Sequence, residues 1–212
     1  MSKKIITLYL LLCLGGSLSA QSLAGERNLD KSILFYVGYG PISSAGDLAD
    51  RFGNGWSIDG GLSLMPAQKS LEIGLRVQFG FGNQIKEDVL ANLRTTEGFL
   101  IGNQREPADV LLRQRQLFIG PSLGYTFKLG DNQRAGIHTK TSIGYFFSRI
   151  AAQNDGAQGV SPLNEEFLAG YDRLAGGPAI HQFIGYQQLA SDRLLNFYVG
   201  AEVMAGFTNQ LR

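Results

Sequence analysis

Residues 70–83 read SLEIGLRVQFGFGN, and this stretch decides the fold. Leu71, Ile73, Leu75, Val77, Phe79 and Phe81 alternate with Glu72, Gly74, Arg76, Gln78, Gly80 and Gly82. A period of two is that of a β-strand, whose successive side chains point to opposite faces. One face is apolar, and the other mixes charges with glycine. A soluble sheet would turn the second face to water, whereas a membrane barrel would turn the first to lipid.

The same alternation recurs along the chain. Trp56, Ile58, Gly60, Leu62 and Leu64 oppose Ser57, Asp59, Gly61 and Ser63. Leu117, Ile119, Leu123, Tyr125 and Phe127 oppose Gln116, Gly120, Ser122, Gly124, Thr126 and Lys128. Ile137, Ile143, Tyr145 and Phe147 oppose Gly136, His138, Lys140, Ser142, Gly144 and Ser148. Leu195, Phe197, Val199, Ala201 and Val203 oppose Asn196, Tyr198, Gly200, Glu202 and Gly206. Residues 32–41 and 174–188 are further strand candidates whose facing the pattern leaves open. Most of these runs exceed the typical globular strand of about 5–6 residues and suit the roughly 9–11 residues of a tilted membrane strand.

The connections alternate strictly in length. Segments 65–69, 129–134 and 189–193 are short and turn-like, while 42–55, 84–113 and 149–173 are long. In an up-and-down meander this gathers all short turns at one end and all long loops at the other, as in outer-membrane barrels. Glycine placement agrees. Glycine is depleted from solvated strands, yet here it lines the polar face. A narrow barrel needs tiny residues inside to make room for large ones.

The expected fold is therefore all-β, an antiparallel up-and-down transmembrane barrel of eight strands. Leu71, Ile73, Leu75, Val77, Leu117, Ile119, Leu123, Ile143, Phe197 and Val199 are expected to face lipid. Asp59, Glu72, Arg76, Lys128, His138, Lys140 and Glu202 are expected to form a polar network in the lumen, because charges enclosed there must be paired or hydrogen-bonded. Seven strands are visible, and bacterial single-chain barrels carry even numbers. Either a last loop and strand lie beyond Arg212, or a strand is hidden within 149–173.

Residues 1–24 read MSKKIITLYLLLCLGGSLSAQSLA, with Lys3 and Lys4 before an apolar stretch and small residues near Ala20 and Ala24. That is the build of a secretory signal peptide, with cleavage after Ala20 or Ala24 and a barrel domain over 25–212. The single cysteine, Cys13, lies in the leader, so the exported chain has no disulfide, cysteine nucleophile or zinc ligand. Three leucines precede it, which argues against lipid anchoring. With 19 Lys+Arg against 18 Asp+Glu, the charge balance argues against a nucleic-acid partner. No stretch of the exported chain reaches the roughly 20 apolar residues of a transmembrane helix.

Neither His138 nor His181 is accompanied by a nucleophile motif, and neither metal-spaced clusters nor phosphate-binding glycine loops occur. No catalytic residue, metal or cofactor is assigned. In the loop 84–113, Ile85, Val89 and Leu93 share one helical face. The loop is read equally as a cap over the barrel mouth and as a docking surface for a protein.

GDLADRFGNGW (46–56), KEDVLANLRTTEGFLIGNQREPADVLLRQR (86–115), GYDRLAGG (170–177), HQFIGYQQL (181–189) and RLLNFYVGAEVMAGFT (193–208) together resemble small outer-membrane barrels of the PorG type. The similarity runs from about Tyr36 to the C-terminus and is most specific in the loops. It implies an OmpA/OmpX-like eight-stranded barrel in the cell outer membrane that serves type IX secretion. Its partners would be outer-membrane lipid and proteins of a secretion apparatus, with no catalytic residues to carry over. The rival readings are a lipid-modifying barrel enzyme or narrow porin, and a soluble periplasmic lipocalin-like binder.

Overall fold

The computed structural model describes residues 15–22, 32–66, 70–108, 110–129, 132–154, 159–160, 163, 171, 173–188 and 195–211. Among these, β1 (Gly15–Ser22), β2 (Ser32–Ser43), β3 (Asn54–Met65) and β4 (Leu71–Gly82) come first, with a short helix α1 (Asp47–Arg51) between β2 and β3. A two-residue pair follows, β5 (Leu100–Ile101) with β6 (Pro107–Ala108). Then come β7 (Val110–Leu129), β8 (Asn132–Asn154), β9 (Arg173–Gln188), β10 (Leu195–Gly206) and the short β11 (Asn209–Gln210).

The long strands form one antiparallel sheet that curls back on itself. Its order is β10-β1-β2-β3-β4-β7-β8-β9-β11, and β10 also pairs with β9, which closes a ring of eight strands. Each long strand from β2 to β10 pairs with the next long strand in sequence, so the connectivity is up-and-down. The long connections α1-containing 44–53, 83–109 and 155–172 lie at one end, and the short ones at the other. The register runs without a break from Ser32↔Met65 to Ser43↔Asn54 in β2–β3, and from Leu71↔Tyr125 to Gly82↔Gln114 in β4–β7. Because a one-residue slip would exchange the two faces, this unbroken pairing fixes which side chains enter the lumen.

Three differences from the sequence reading have physical causes. The eighth place in the ring, assigned above to a strand beyond Arg212 or one hidden in 149–173, is held by β1, which lies within the segment read above as a leader. Its pairing is partial: it meets β2 at Ala20↔Tyr36, Gln21↔Phe35 and Ser22↔Leu34, and its register with β10 shifts between Ser17 and Ala20. The β7–β8 hairpin is longer than the alternation suggested, with pairing continued up to Val110↔Asn154. Val110 is buried against loop residues there, and Leu112 packs against two apolar clusters, so the hairpin rises into the loops.

The helical face expected in 84–113 does not form a helix. Only a single 3₁₀ turn, Ala91–Leu93, is present, because Ile85 is bridged to Phe52 and Lys86 N–H bonds to the Arg51 carbonyl. Asp88 Oδ1 also accepts from Leu90 N–H at 3.0 Å, a local side-chain bond that competes with helix propagation. Ile85, Val89 and Leu93 are nevertheless packed inward, each against an apolar cluster.

Candidate functional site

The strand alternation places two sets of side chains. Outward stand Ile73, Leu75, Val77, Leu117, Ile119, Leu123, Ile143, Phe197 and Val199, all exposed, with Leu71 half-buried at its strand end. The open β2 facing is now fixed: Ile33, Phe35, Val37 and Tyr39 are exposed, and Leu34 and Tyr36 are buried. On β9, Ile180, Ile184 and Tyr186 are exposed, while Ala179, His181, Phe183 and Gln187 are buried. The buried set is where the charges are. Asp59, Glu72, Arg76, Gln78, His138, Lys140, His181 and Glu202 are each 7% exposed or less. Charged side chains are almost never buried to this degree unless they are paired.

The six enclosed charged and imidazole groups expected in the lumen do meet. Arg76 Nη2 lies 2.9 Å from Asp59 Oδ2 and also contacts Glu202 Oε1. Gln78 Nε2 donates to Glu202 Oε2 at 3.0 Å, and His181 Nε2 stands 3.3 Å from the same oxygen. A second group centres on Glu72, with Lys140 Nζ at 2.5 Å and His138 Nε2 at 3.5 Å. His138 Nδ1 in turn lies 2.9 Å from Thr126 Oγ1. Lys140 Nζ also stands 4.0 Å from the centroid of the Tyr36 ring, a cation–π contact. Lys128 is the exception: it shares the lumen register but is exposed at the turn end of β7, so it does not join the network.

Glycines make this packing fit. A Cβ at Gly38 would collide with the Asp59 carboxylate and approach Tyr198 Oη to 2.7 Å. One at Gly124 would come within 2.9 Å of His138 Cε1. Tyr36 and Tyr198 face each other across this floor, edge to face at 5.9 Å between centroids. With Asp59, Glu72, Arg76, His138 and Lys140 they border a cavity of about 30 Å³, the scale of one or two water molecules.

Toward the loop end the lumen changes character. Ile42, Leu48, Phe52, Phe118, Phe146, Ile150, Ala179 and Met204 form a buried apolar cluster, to which Ile85 and Val89 add from the loop. The sequence reading did not place these residues inside. The signal was present, since Phe118 sits in the register of Gln116 and Gly120, Phe146 in that of Gly144 and Ser148, and Met204 in that of Glu202 and Gly206. Parity outranked polarity as the guide. The lumen thus holds an ionic floor beneath an apolar plug.

Above the plug the loops fold into a crown. Glu87 accepts from Arg51 Nε at 2.8 Å and from Arg173 Nη1 at 3.0 Å, which ties α1, the 83–109 loop and the start of β9 together. Lys86 Nζ donates to the Ala49 carbonyl at 2.6 Å. Asp88 pairs with Arg94 at 2.5 Å, and the hydrogen bond from Arg94 holds its carboxyl below the usual range. A second apolar cluster of Leu90, Leu100, Val110, Val160 and Leu163 fills the crown.

Thr126, His138 and Glu72 form a hydroxyl–imidazole–carboxylate line, but all three are buried at 4% exposure or less. Among the described residues no group of three His, Cys, Asp or Glu side chains is arranged to hold a metal ion. The chain is an all-β, antiparallel barrel protein with a polar, plugged interior and an apolar exterior. Comparison with protein-family models, with curated proteins and with solved structures finds no match to it.

Proposed function

We propose that the chain is an integral β-barrel of the cell outer membrane with a non-enzymatic, structural or accessory role. One observation carries this reading: the outward wall is mostly apolar, Thr139, Thr141 and Gln182 apart at mid-height, while arginine, lysine, three carboxylates and two histidines are enclosed. In water such a wall would be an exposed patch far beyond that of an ordinary monomer. In a bilayer it is the favourable arrangement, and a closed barrel satisfies the backbone bonds that lipid cannot. The asymmetry of short turns and long loops supports the same orientation, with the crown at the outer face.

The apolar plug favours a closed wall over a narrow porin, and the buried Thr126–His138–Glu72 line favours no enzymatic use. The crown offers the surface by which a secretion apparatus would be engaged, the role that the PorG-type resemblance suggests. The test is membrane fractionation with gel mobility measured before and after boiling. A chain in the outer-membrane fraction whose mobility shifts on heating supports the reading. A chain in the soluble periplasmic fraction, unshifted by heat, overturns it in favour of a lipocalin-like binder.

A further inference from the structure

At the loop end of the apolar belt the outward wall carries charge on one hairpin. Arg113 and Arg115 on β7 and Arg149 on β8 occupy the outward parity of their strands, alternating with the buried Gln114, Gln116, Ser148 and Ile150. Arg149 is exposed, and Arg113 and Arg115 are half-buried. Arg115 and Arg149 are directly opposed in register, with Arg113 two residues further up the same face. The adjoining strands carry Phe81 and Leu174 at that level, and β7 and β8 contain no Asp or Glu. Just below the arginines, Leu117 pairs with Phe147 and Ile119 with Tyr145, the two aromatic rings being 4.6 Å apart. From Phe127 at the turn end up to Arg115 is twelve residues. At about 3.4 Å per residue and a tilt of about 40°, that spans roughly 30 Å along the barrel axis, just more than an apolar band of about 25 Å.

We propose that this rim of β7–β8 binds the phosphate headgroup of an anionic lipid in the leaflet at the loop end. The inference rests on the membrane reading above. Like charges directly opposed across a strand pair repel, and an anion shared between Arg115 and Arg149 turns that repulsion into attraction. A guanidinium presents five N–H donors in a planar fork that takes phosphate oxygens two at a time. Within the chain, Arg115 Nη1 donates to the Gln114 carbonyl at 2.9 Å and Arg113 Nε to Gln153 Oε1 at 3.4 Å, which leaves most of each fork for a ligand. Height decides which anion is bound. The phosphates of a leaflet lie at the edge of the hydrocarbon, the level these arginines reach, and the acyl chains of the same lipid lie along Leu117, Ile119, Tyr145 and Phe147. A free anion gains the charge contact alone. The rim is not basic throughout: on β2–β3 the outward side chains toward the same end are Tyr39 and Trp56, stacked at 5.1 Å.

The experiment uses the full chain in a neutral detergent, with dioleoyl phosphatidic acid as the probe and lipid retention in native mass spectrometry as the readout. Phosphatidic acid is expected to be retained, and phosphatidylcholine, whose phosphate is offset by its own ammonium, about tenfold more weakly. Arg115→Gln together with Arg149→Gln should weaken retention of phosphatidic acid by about tenfold or more, the scale of lost charge-assisted hydrogen bonds. Lys128→Gln removes a positive charge at the opposite end of β7 and should leave retention unchanged. Equal retention of the two lipids by the unaltered chain overturns the proposal without recourse to any variant. So does an equal loss from Lys128→Gln, no loss from the double variant, or displacement of the lipid by an equal concentration of inorganic phosphate. Cell fractionation separates the two levels of inference. A chain found in the outer membrane that does not prefer phosphatidic acid overturns the lipid site alone, whereas a chain found soluble in the periplasm overturns the membrane reading and the site with it.

Discussion

Replacing Arg76 by Met should be among the most damaging single changes in the lumen. Arg76 is 1% exposed, and its guanidinium lies 2.9 Å from Asp59 and in contact with Glu202, themselves both 5% exposed. At an effective dielectric of 20 the Asp59 pair alone has a gross attraction of about 6 kcal/mol, most of it offset by the desolvation of three ions. The net value of the cluster is therefore small, while the cost of removing one member is large. Two carboxylates would be left enclosed with Gln78 and His181 as partners, a loss of about 3–5 kcal/mol. The triple change Asp59→Asn, Arg76→Met, Glu202→Gln should recover most of that loss, because no charge is then left unmatched. The assay is denaturant unfolding of the folded chain in detergent or vesicles, followed through the single tryptophan. Trp56 stands on the outer wall, stacked on Tyr39 at 5.1 Å, and would report loss of that surface. If Arg76→Met unfolds at the wild-type midpoint, or the triple variant is no better than the single, the network is not the structural floor argued here.

The remaining predictions address the wall, the plug and the crown. Ile73→Arg, at a position 51% exposed, should cost about 2–4 kcal/mol in a bilayer, whereas the same surface change in a water-facing protein would stay within about 0.5 kcal/mol; unfolding in vesicles reads the difference. Phe146→Ala, in the apolar plug, should cost about 3–5 kcal/mol and shift the denaturation midpoint without changing the cell fraction in which the chain is found. Asp88 has its carboxyl held low by Arg94, so its contribution to crown order is present above the unfolded value of about 3.9 and is lost as pH falls through the lower folded value. Protease cleavage of the 83–109 loop should therefore accelerate below about pH 4, and Asp88→Asn should show fast cleavage already at neutral pH.

The sequence by itself determined the faces. A period of two, held by Leu71 through Phe81 and repeated on the other strands, assigns every side chain to one of two sides by parity alone. The strict order of long and short connections then fixes an up-and-down meander. Six of the seven lumen residues named from that pattern, from Asp59 to Glu202, are buried in two neighbouring ion-paired groups, and their outward counterparts form the apolar wall. Only the tertiary structure decided depth and partnership. Parity says that Lys128 faces inward, but its height at the turn end of β7 leaves it in solvent. Strand stagger decides that Glu202 meets Arg76 at a separation of 126 residues, while Phe118 and Phe146 meet higher up as a plug. The 84–113 loop followed the same division. Its apolar residues were legible, yet their conformation was set by the strand ends that Ile85 and Leu112 pack against. Alternation is a local property that two neighbouring residues suffice to show, whereas height around a closed ring depends on the register of every strand in it.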